Sequence, residues 1–330
     1  MRWTLKTAPN LSLVDELSEV LSIDKVLSSL LIQRGIHTFD QAKKFFRPSL
    51  DDLHDPFLLK DMDIAVSRIE KAIANNENIL IYGDYDVDGT TAVSLVSSYL
   101  KTITTKIATY IPDRYDEGYG ISTQGIDFAA DHNFSLIIAL DCGIKAIEKV
   151  NYASQKNIDF IICDHHKPGD KLPKAVAVLN AKREDCSYPF DELCGCGVGF
   201  KLIQALASKR GQTLEDLTQY LDLVATAIAA DIVPITGENR ILTYFGLQVI
   251  NSNPRNGIKA IIQGVKKNIL TITDVVFIIA PRINAAGRMK HGNYAVELLT
   301  EMDYETAISF AASIEKFNIE RKEIDKKITY

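Results

Sequence analysis

The chain has 330 residues, 46% hydrophobic and 24% charged, the balance of a folded globular protein long enough for two domains. Its 37 basic residues against 43 acidic, a net charge of −6, argue against nucleic-acid binding through bulk positive charge but leave a local basic groove open. No run approaches the roughly 18 uninterrupted apolar residues of a membrane span, and MRWTLKTAPNLSLVDELSEV has no basic stretch leading into an apolar one, so a cytoplasmic location is expected.

Residues 1–60 read as a helical lead-in. LVDELSEVLSIDKVLSSLLIQRGI repeats apolar residues at helical spacing as far as Gly35, and RPSLDDLHDPF then gathers proline and aspartate, a clasp rather than a separate domain. From residue 61 helix and short apolar strand alternate: DIAVSRIEKAIANNEN then ILIYG, TAVSLVSSYLKTI then KIATYIP, QGIDFAADHN then LIIALD, KAIEKVNYASQKN then FIICD, and last AVAVLN. Short Ile/Val/Leu-rich runs spaced by crossover-length helices predict a doubly wound α/β core, its mainly parallel five-stranded sheet covered on both faces, as far as residue 195. KLIQALASKR, LDLVATAIAA and ILTYFGLQVI predict helical additions that complete a domain over 61–300. Within 301–330, YETAISFAASIEKFNIERKEIDKKITY reads as a long C-terminal connector helix without cap, glycine or proline, the expectation for a helix whose far side is missing. Five cysteines, an odd number, predict reduced thiols, and Cys186 with Cys194-Gly-Cys196 lacks a fourth zinc ligand.

GDYDVDG, residues 83–89, places Asp84, Asp86 and Asp88 at every second position before Gly89. Like charges so close need a cation. A calcium loop begins this way but requires a bidentate Glu at its twelfth position, where Leu95 stands. A P-loop is excluded because no Gly-Lys-Ser/Thr follows. Asp86-Val-Asp88-Gly89-Thr90 after a strand also resembles the nucleophile loop of haloacid-dehalogenase-type phosphatases, but the downstream lysine and late acidic pair of that family find no convincing match. A metal site at the carboxyl ends of the strands makes a further demand, since other segment ends should then carry ligands. LIIAL ends on Asp141, FIIC on Asp164-His165-His166, and VATAIAA on Asp231. One such aspartate is an ordinary helix cap or turn residue; four acidic ends, one bearing two histidines, are hard to obtain from capping. Carboxylate oxygen with imidazole nitrogen suits Mn2+, Zn2+ or Fe2+, and Mg2+ accepts the carboxylates alone.

These residues carry a resemblance to the DHH phosphoesterase superfamily and, within it, to the RecJ-like exonucleases. LHDPFLLKDMDIAVSRI, ILIYGDYDVDGTTA, IPDRYDEGYGIS, LDCGI, ICDHHKP, GVGFKL, AIAADIVP and APRINAAGRM follow that pattern in order from about residue 30 onward. The resemblance implies that Asp86, Asp88, Asp141, His165 and Asp231 hold two divalent ions, Mn2+ foremost and Mg2+ as the alternative, with Asp84 as ligand or supporting group. It places His166 beside the scissile phosphate and Arg114 and Arg282 near the DNA end. The planar donors of Arg282, Asn284 and Arg288 suit phosphate oxygens, although a structural ion pair competes as an account of Arg282 and Arg288. Tyr119 is a candidate for stacking on a base, with packing an equal account. The small residues of NAAG favour close backbone approach or a helix start. RecJ-like proteins continue into a DHH-associated region with a glycine- and histidine-rich motif and often an OB-fold; no Gly-Gly-His motif occurs here, so the catalytic N-terminal part alone is expected.

The expected activity is metal-dependent removal of nucleotides from the 5′ end of single-stranded DNA in recombination and repair, through two-metal activation of water. Single-strand DNA-binding protein and a RecQ-like helicase are the expected partners, and no membrane is. The alternatives are a DHH phosphodiesterase of short oligoribonucleotides or cyclic dinucleotides, and a catalytically silent scaffold.

Overall fold

The computed structural model describes residues 4–329; the first three residues of the expected lead-in and Tyr330 at the end of the expected connector lie outside the described residues. The chain divides into two compact units, one up to Leu53 and one from His54 onward. The division falls before residue 60 because the His54 amide donates to Glu238 Oε1 (2.9 Å) and its carbonyl accepts from Lys201 Nζ (2.9 Å), which ties LHDPF into the second unit.

The first unit contains α1 (Leu11–Leu21), α2 (Lys25–Ile32) and α3 (Phe39–Phe46). The helical run expected up to Gly35 is broken after Leu21: Ser22 is left-handed, with φ 53°, and Asp24 restarts the helix by accepting from the Val26 amide at 2.7 Å. Val14, Leu17, Leu31, Ile32, Ile36 and Ala42 form a core of its own, so a small separate unit replaces the expected clasp.

In the second unit α4 (Met62–Ala74) precedes β1 (Asn78–Gly83), α5 (Val87–Lys101), β2 (Ile107–Tyr110), α6 (Thr123–Asp131), β3 (Phe134–Leu140), α7 (Ile147–Gln155), β4 (Asp159–Cys163) and β5 (Ala177–Leu179). The five strands are all parallel in the order β2-β1-β3-β4-β5, a doubly wound sheet that reverses direction of growth between β1 and β3. Strand residues alternate between faces. Leu80, Tyr82, Ile137, Ala139, Phe160 and Ile162 join residues of α6 and α7 in one core. On the sheet's other face lie α5 and α8 (Gly195–Lys209), which pack on each other.

The remainder is helical, as its apolar periodicity predicts: α9 (Leu214–Leu217), α10 (Leu221–Asp231), α11 (Gly237–Ser252), α12 (Asn256–Ile261), α13 (Ile272–Asp274), α14 (Ala280–Met289), α15 (Asn293–Thr300) and α16 (Tyr304–Thr329). α10 lies against α5, α8 and α11, and α14 against α16. NAAG does not start a helix. α14 continues without a break from α13 through a π-helical segment, Val275–Ile279, which lies just ahead of Pro281, and Asn284–Gly287 fall well inside this run.

Candidate metal centre

Strand register gathers the acidic ends. Gly83 pairs with Leu140 and Leu140 with Cys163, so the next residues, Asp84, Asp141 and Asp164, emerge side by side at the carboxyl edge of the sheet. All three are buried. Asp141 stands at φ 60°, a left-handed turn that aspartate tolerates better than most residues, while its amide still donates to Cys163 O at 2.8 Å.

Asp86 and Asp88 flank the start of α5. Asp86 is its N-cap, accepting from the Gly89 amide at 2.9 Å. Asp88 is buried and accepts from the first turn of α8: Gly195 N reaches Oδ2 at 2.6 Å and Cys196 N reaches Oδ1 at 2.7 Å. Asp231 is the last residue of α10, where the carbonyl end of the helix repels an anion. The following Ile232 is left-handed, φ 59°.

His165 joins these segments. Its Nε2 lies 3.2 Å from Asp141 Oδ1, 3.6 Å from Asp231 Oδ2 and 3.7 Å from Asp88 Oδ2. Burial pushes His165 down to about 4, with the charge of His166 acting in the same direction, so at neutral pH the ring offers a lone pair. Burial pushes Asp88 up to about 7, reinforced by Asp231, and Asp84 up to about 7, reinforced by Asp86. Asp231 rises to about 6 through burial and Asp86, and Asp141 rises well above the carboxylate range through burial and Asp88.

Neither ring nitrogen of His165, nor Asp141 Oδ1, nor either Asp84 oxygen meets a partner in hydrogen-bonding geometry. The Tyr85 and Gly120 amides only temper the charge of Asp84. Orphaned buried donors of electron pairs, mutually repelling and with no lysine or arginine paired to them among the described residues, fit a divalent ion. Ligand atoms of Asp88, His165 and Asp231 lie within 4.8 Å of one another, as do those of Asp141, His165 and His166. Asp84 and Asp86 stand outside both groups, next to them in the chain.

Asp164, by contrast, is fully engaged. Its Oδ1 accepts from His166 N (3.0 Å) and bonds His166 Nδ1 (2.8 Å), and Oδ2 accepts from Ile144 N (2.9 Å). Burial pushes its carboxyl up, but these bonds outweigh it and hold Asp164 below the usual range. The bond to Asp164 in turn raises His166. His166 therefore carries its proton more readily than an ordinary histidine, with Nε2 turned to the Tyr119 hydroxyl at 3.4 Å.

The expected substrate contacts separate into two sets. Tyr119 is exposed beside His166, and its ring meets Tyr85 edge-on at 6.0 Å. The exposed Arg114 guanidinium lies 4.9 Å over the Tyr85 ring, and Tyr115 OH donates to Arg288 O at 2.8 Å. The side chains of Asn284 and Arg288 have no hydrogen-bond partner among the described residues. Arg282, expected at the phosphate, is held elsewhere: Nε pairs with Glu315 Oε2 of α16 at 2.6 Å and a terminal nitrogen donates to Ile278 O at 2.7 Å. That is the competing ion-pair account. Gly287 brings α14 onto the aspartate turn, since a Cβ there would fall 2.3 Å from Tyr85 O.

Sequence reasoning missed the service of Asp164 to His166, the ring of Tyr85 and the amide of Gly195. Only the last had a signal, in the glycines of GCGVGF.

Residues 78–228 match the DHH family, N-terminal domain. Over 331 aligned residues the chain is 39% identical to the single-stranded-DNA-specific exonuclease RecJ of Bacillus subtilis, covering 100% of this chain and 41% of that protein. The structure superposes on RecJ in complex with Mn2+ from Thermus thermophilus with a TM-score of 0.85 at 26% identity, covering 99% of this chain and 47% of that one. On the Mg2+ complex from the same organism the TM-score is 0.75 at 25% identity, covering 99% and 44%. The chain thus spans about half the length of the relatives it matches.

Proposed function

The chain belongs to the DHH family through residues 78–228, and from that premise we propose a metal-dependent phosphodiesterase that removes nucleotides from the 5′ end of single-stranded DNA. The observation that carries this reading is His165 Nε2 set within 3.7 Å of carboxylates from three separate segments, with no lysine or arginine paired to them among the described residues. Asp88, Asp141, His165 and Asp231, with Asp86 alongside, would hold divalent ions, two Mn2+ by preference with Mg2+ as the alternative. Such ions acidify water and neutralise phosphoryl oxygens.

The protein's own groups do the rest. Asp164 fixes the tautomer and direction of His166, which donates a proton or hydrogen bond at the phosphate or leaving oxygen. Arg114 and Arg288 attract the phosphate backbone, and Tyr119 with Tyr85 offers faces for unstacked bases. Arg282, paired with Glu315, acts in this reading as a support of α14. Asp84 is a supporting anion. The setting we propose is the cytoplasm, in recombination and repair, with single-strand DNA-binding protein and a RecQ-like helicase as partners; among the described residues no helix is long and apolar enough to cross a membrane.

The test is incubation with Mn2+ and strands labelled at the 5′ or 3′ end, duplex DNA, short RNA and a cyclic dinucleotide. Progressive loss from the 5′ end of single strands is expected. Activity on the last two substrates alone would move the reading to a small-nucleotide phosphodiesterase. No activity with no bound metal would leave a scaffold.

A further inference from the structure

The ligand carboxylates are crowded against one another, and something must hold them. Among the described residues no lysine or arginine forms an ion pair with Asp88 or Asp141. What meets them is the first turn of α8. An α-helix begins with amides that have no partner inside the helix and with a positive end of its dipole. Here two of those amides, on Gly195 and Cys196, each take one oxygen of Asp88. Both oxygens are thereby fixed in direction, and each keeps a lone pair for a cation.

The same turn meets Asp141 without a hydrogen bond. A Cβ on Gly195 would fall 2.5 Å from Asp141 Cβ and 2.5 Å from its Oδ1, closer than real Cβ contacts allow. Asp141 has no room to retreat, since it is buried, left-handed and tied by its amide to β4. The N-cap carries no charge: Cys194 accepts from Gly197 N through its sulfur at 3.3 Å. An aspartate cap would place another anion at the crowded edge.

We propose that Gly195 is a positioning residue for the metal ligands, its amide fixing Asp88 while its missing side chain leaves room for Asp141 beside His165. The inference rests on the metal-centre reading above. Gly195 touches no substrate, and its effect passes through the two carboxylates.

The test is Mn2+ binding measured by electron paramagnetic resonance of the free ion, on the parent, Gly195→Ala and Gly197→Ala, with apo melting followed by circular dichroism. Gly197 is a control two positions further round the same turn, where a Cβ meets only ordinary contacts with Leu193 and Cys194. Gly195→Ala is expected to bind Mn2+ about 10–100-fold more weakly, the range for groups that orient ligands, while Gly197→Ala binds as the parent does. Equal affinity in the parent and Gly195→Ala overturns the inference. Absence of Mn2+ binding by the parent overturns the metal-centre reading itself, and this inference with it. If Gly195→Ala does not fold, the Asp141→Gly/Gly195→Ala double variant decides, because glycine at 141 removes the Cβ that the new methyl would strike. Its recovery of the Asp141→Gly melting temperature identifies the Asp141 contact as the cause, and failure to recover refutes the proposal.

Discussion

Lys201 and Asp88 are both buried charges that meet α8, and their surroundings are opposite. Lys201 Nζ lies 2.6 Å from Glu238 Oε1 and donates to His54 O, while Glu238 Oε2 accepts from Tyr188 OH at 2.7 Å. Burial pulls Lys201 down and Glu238 pulls it back up. Each charge there has its counter-charge within the protein. Around Asp88 the neighbours are Asp86, Asp141, Asp231 and a neutral His165, and compensation comes from amide dipoles and from the charge His166 carries when protonated, without a lysine or arginine paired to Asp88 among the described residues. A balanced buried pair holds the fold together; an unbalanced cluster of the same depth is destabilising until a cation arrives from solution.

The largest effect tests the unbalanced side. Asp141→Asn should reduce Mn2+-dependent hydrolysis to background, yet its melting temperature in EDTA should equal or exceed that of the parent, because a crowded acid has gone and asparagine keeps the left-handed turn. A clear loss of apo stability would mean that Asp141 is structural and the contrast false. His166→Gln should lower kcat about 10^2–10^4-fold, the range for a lost proton donor, with little change in Mn2+ affinity. A parallel fall in affinity would make His166 a ligand.

The balanced side should respond the other way. Lys201→Met leaves Glu238 buried alone and should cost about 3–5 kcal/mol in urea unfolding, with Mn2+ affinity retained. The pH dependence separates the two clusters further. Folded Asp84 and Asp88 titrate at about 7, against about 3.9 for an unfolded aspartate. Between these values the folded state binds more protons, so in EDTA stability should fall as pH rises from about 4 to about 7 and level off above. Saturating Mn2+ displaces those protons and should reverse the slope, which melting curves at each pH would show. The smallest effect is Arg282→Ala. Its partially exposed pair with Glu315 should contribute about 0.2–1 kcal/mol in unfolding, and a fall in kcat beyond tenfold would return Arg282 to the phosphate.

The aspartates were legible because parallel strands of one register end together, so hydrophobic runs terminating on Asp84, Asp141 and Asp164 already describe an edge. His165 and Asp231 followed from the same logic, although Asp231 ends a helix. Tertiary partners were not legible. Arg282 reads as a phosphate ligand, and nothing in its own segment announces the pair with Glu315 of α16; nor does the segment end at Asp164 announce that this carboxylate turns back on His166. The break at Ser22 was hidden because apolar spacing continues in phase across a short interruption. Apolar periodicity records which face is buried and says nothing about which small unit buries it.

The seat of α14 has a mechanical consequence. This helix touches Tyr85 O through the bare face of Gly287 and is tied to α16 by Arg282 and Glu315. α16 runs for 26 residues, about 39 Å at 1.5 Å per residue. The ion pair sits at the twelfth of those residues, near the middle of the rod, and Ala307, Ile314 and Asn318 are buried along the same helix. A load applied to α16 is therefore shared among its seats on α12, α14 and α15, and the part that α14 takes is passed by Gly287 to the turn between Asp84 and Asp86.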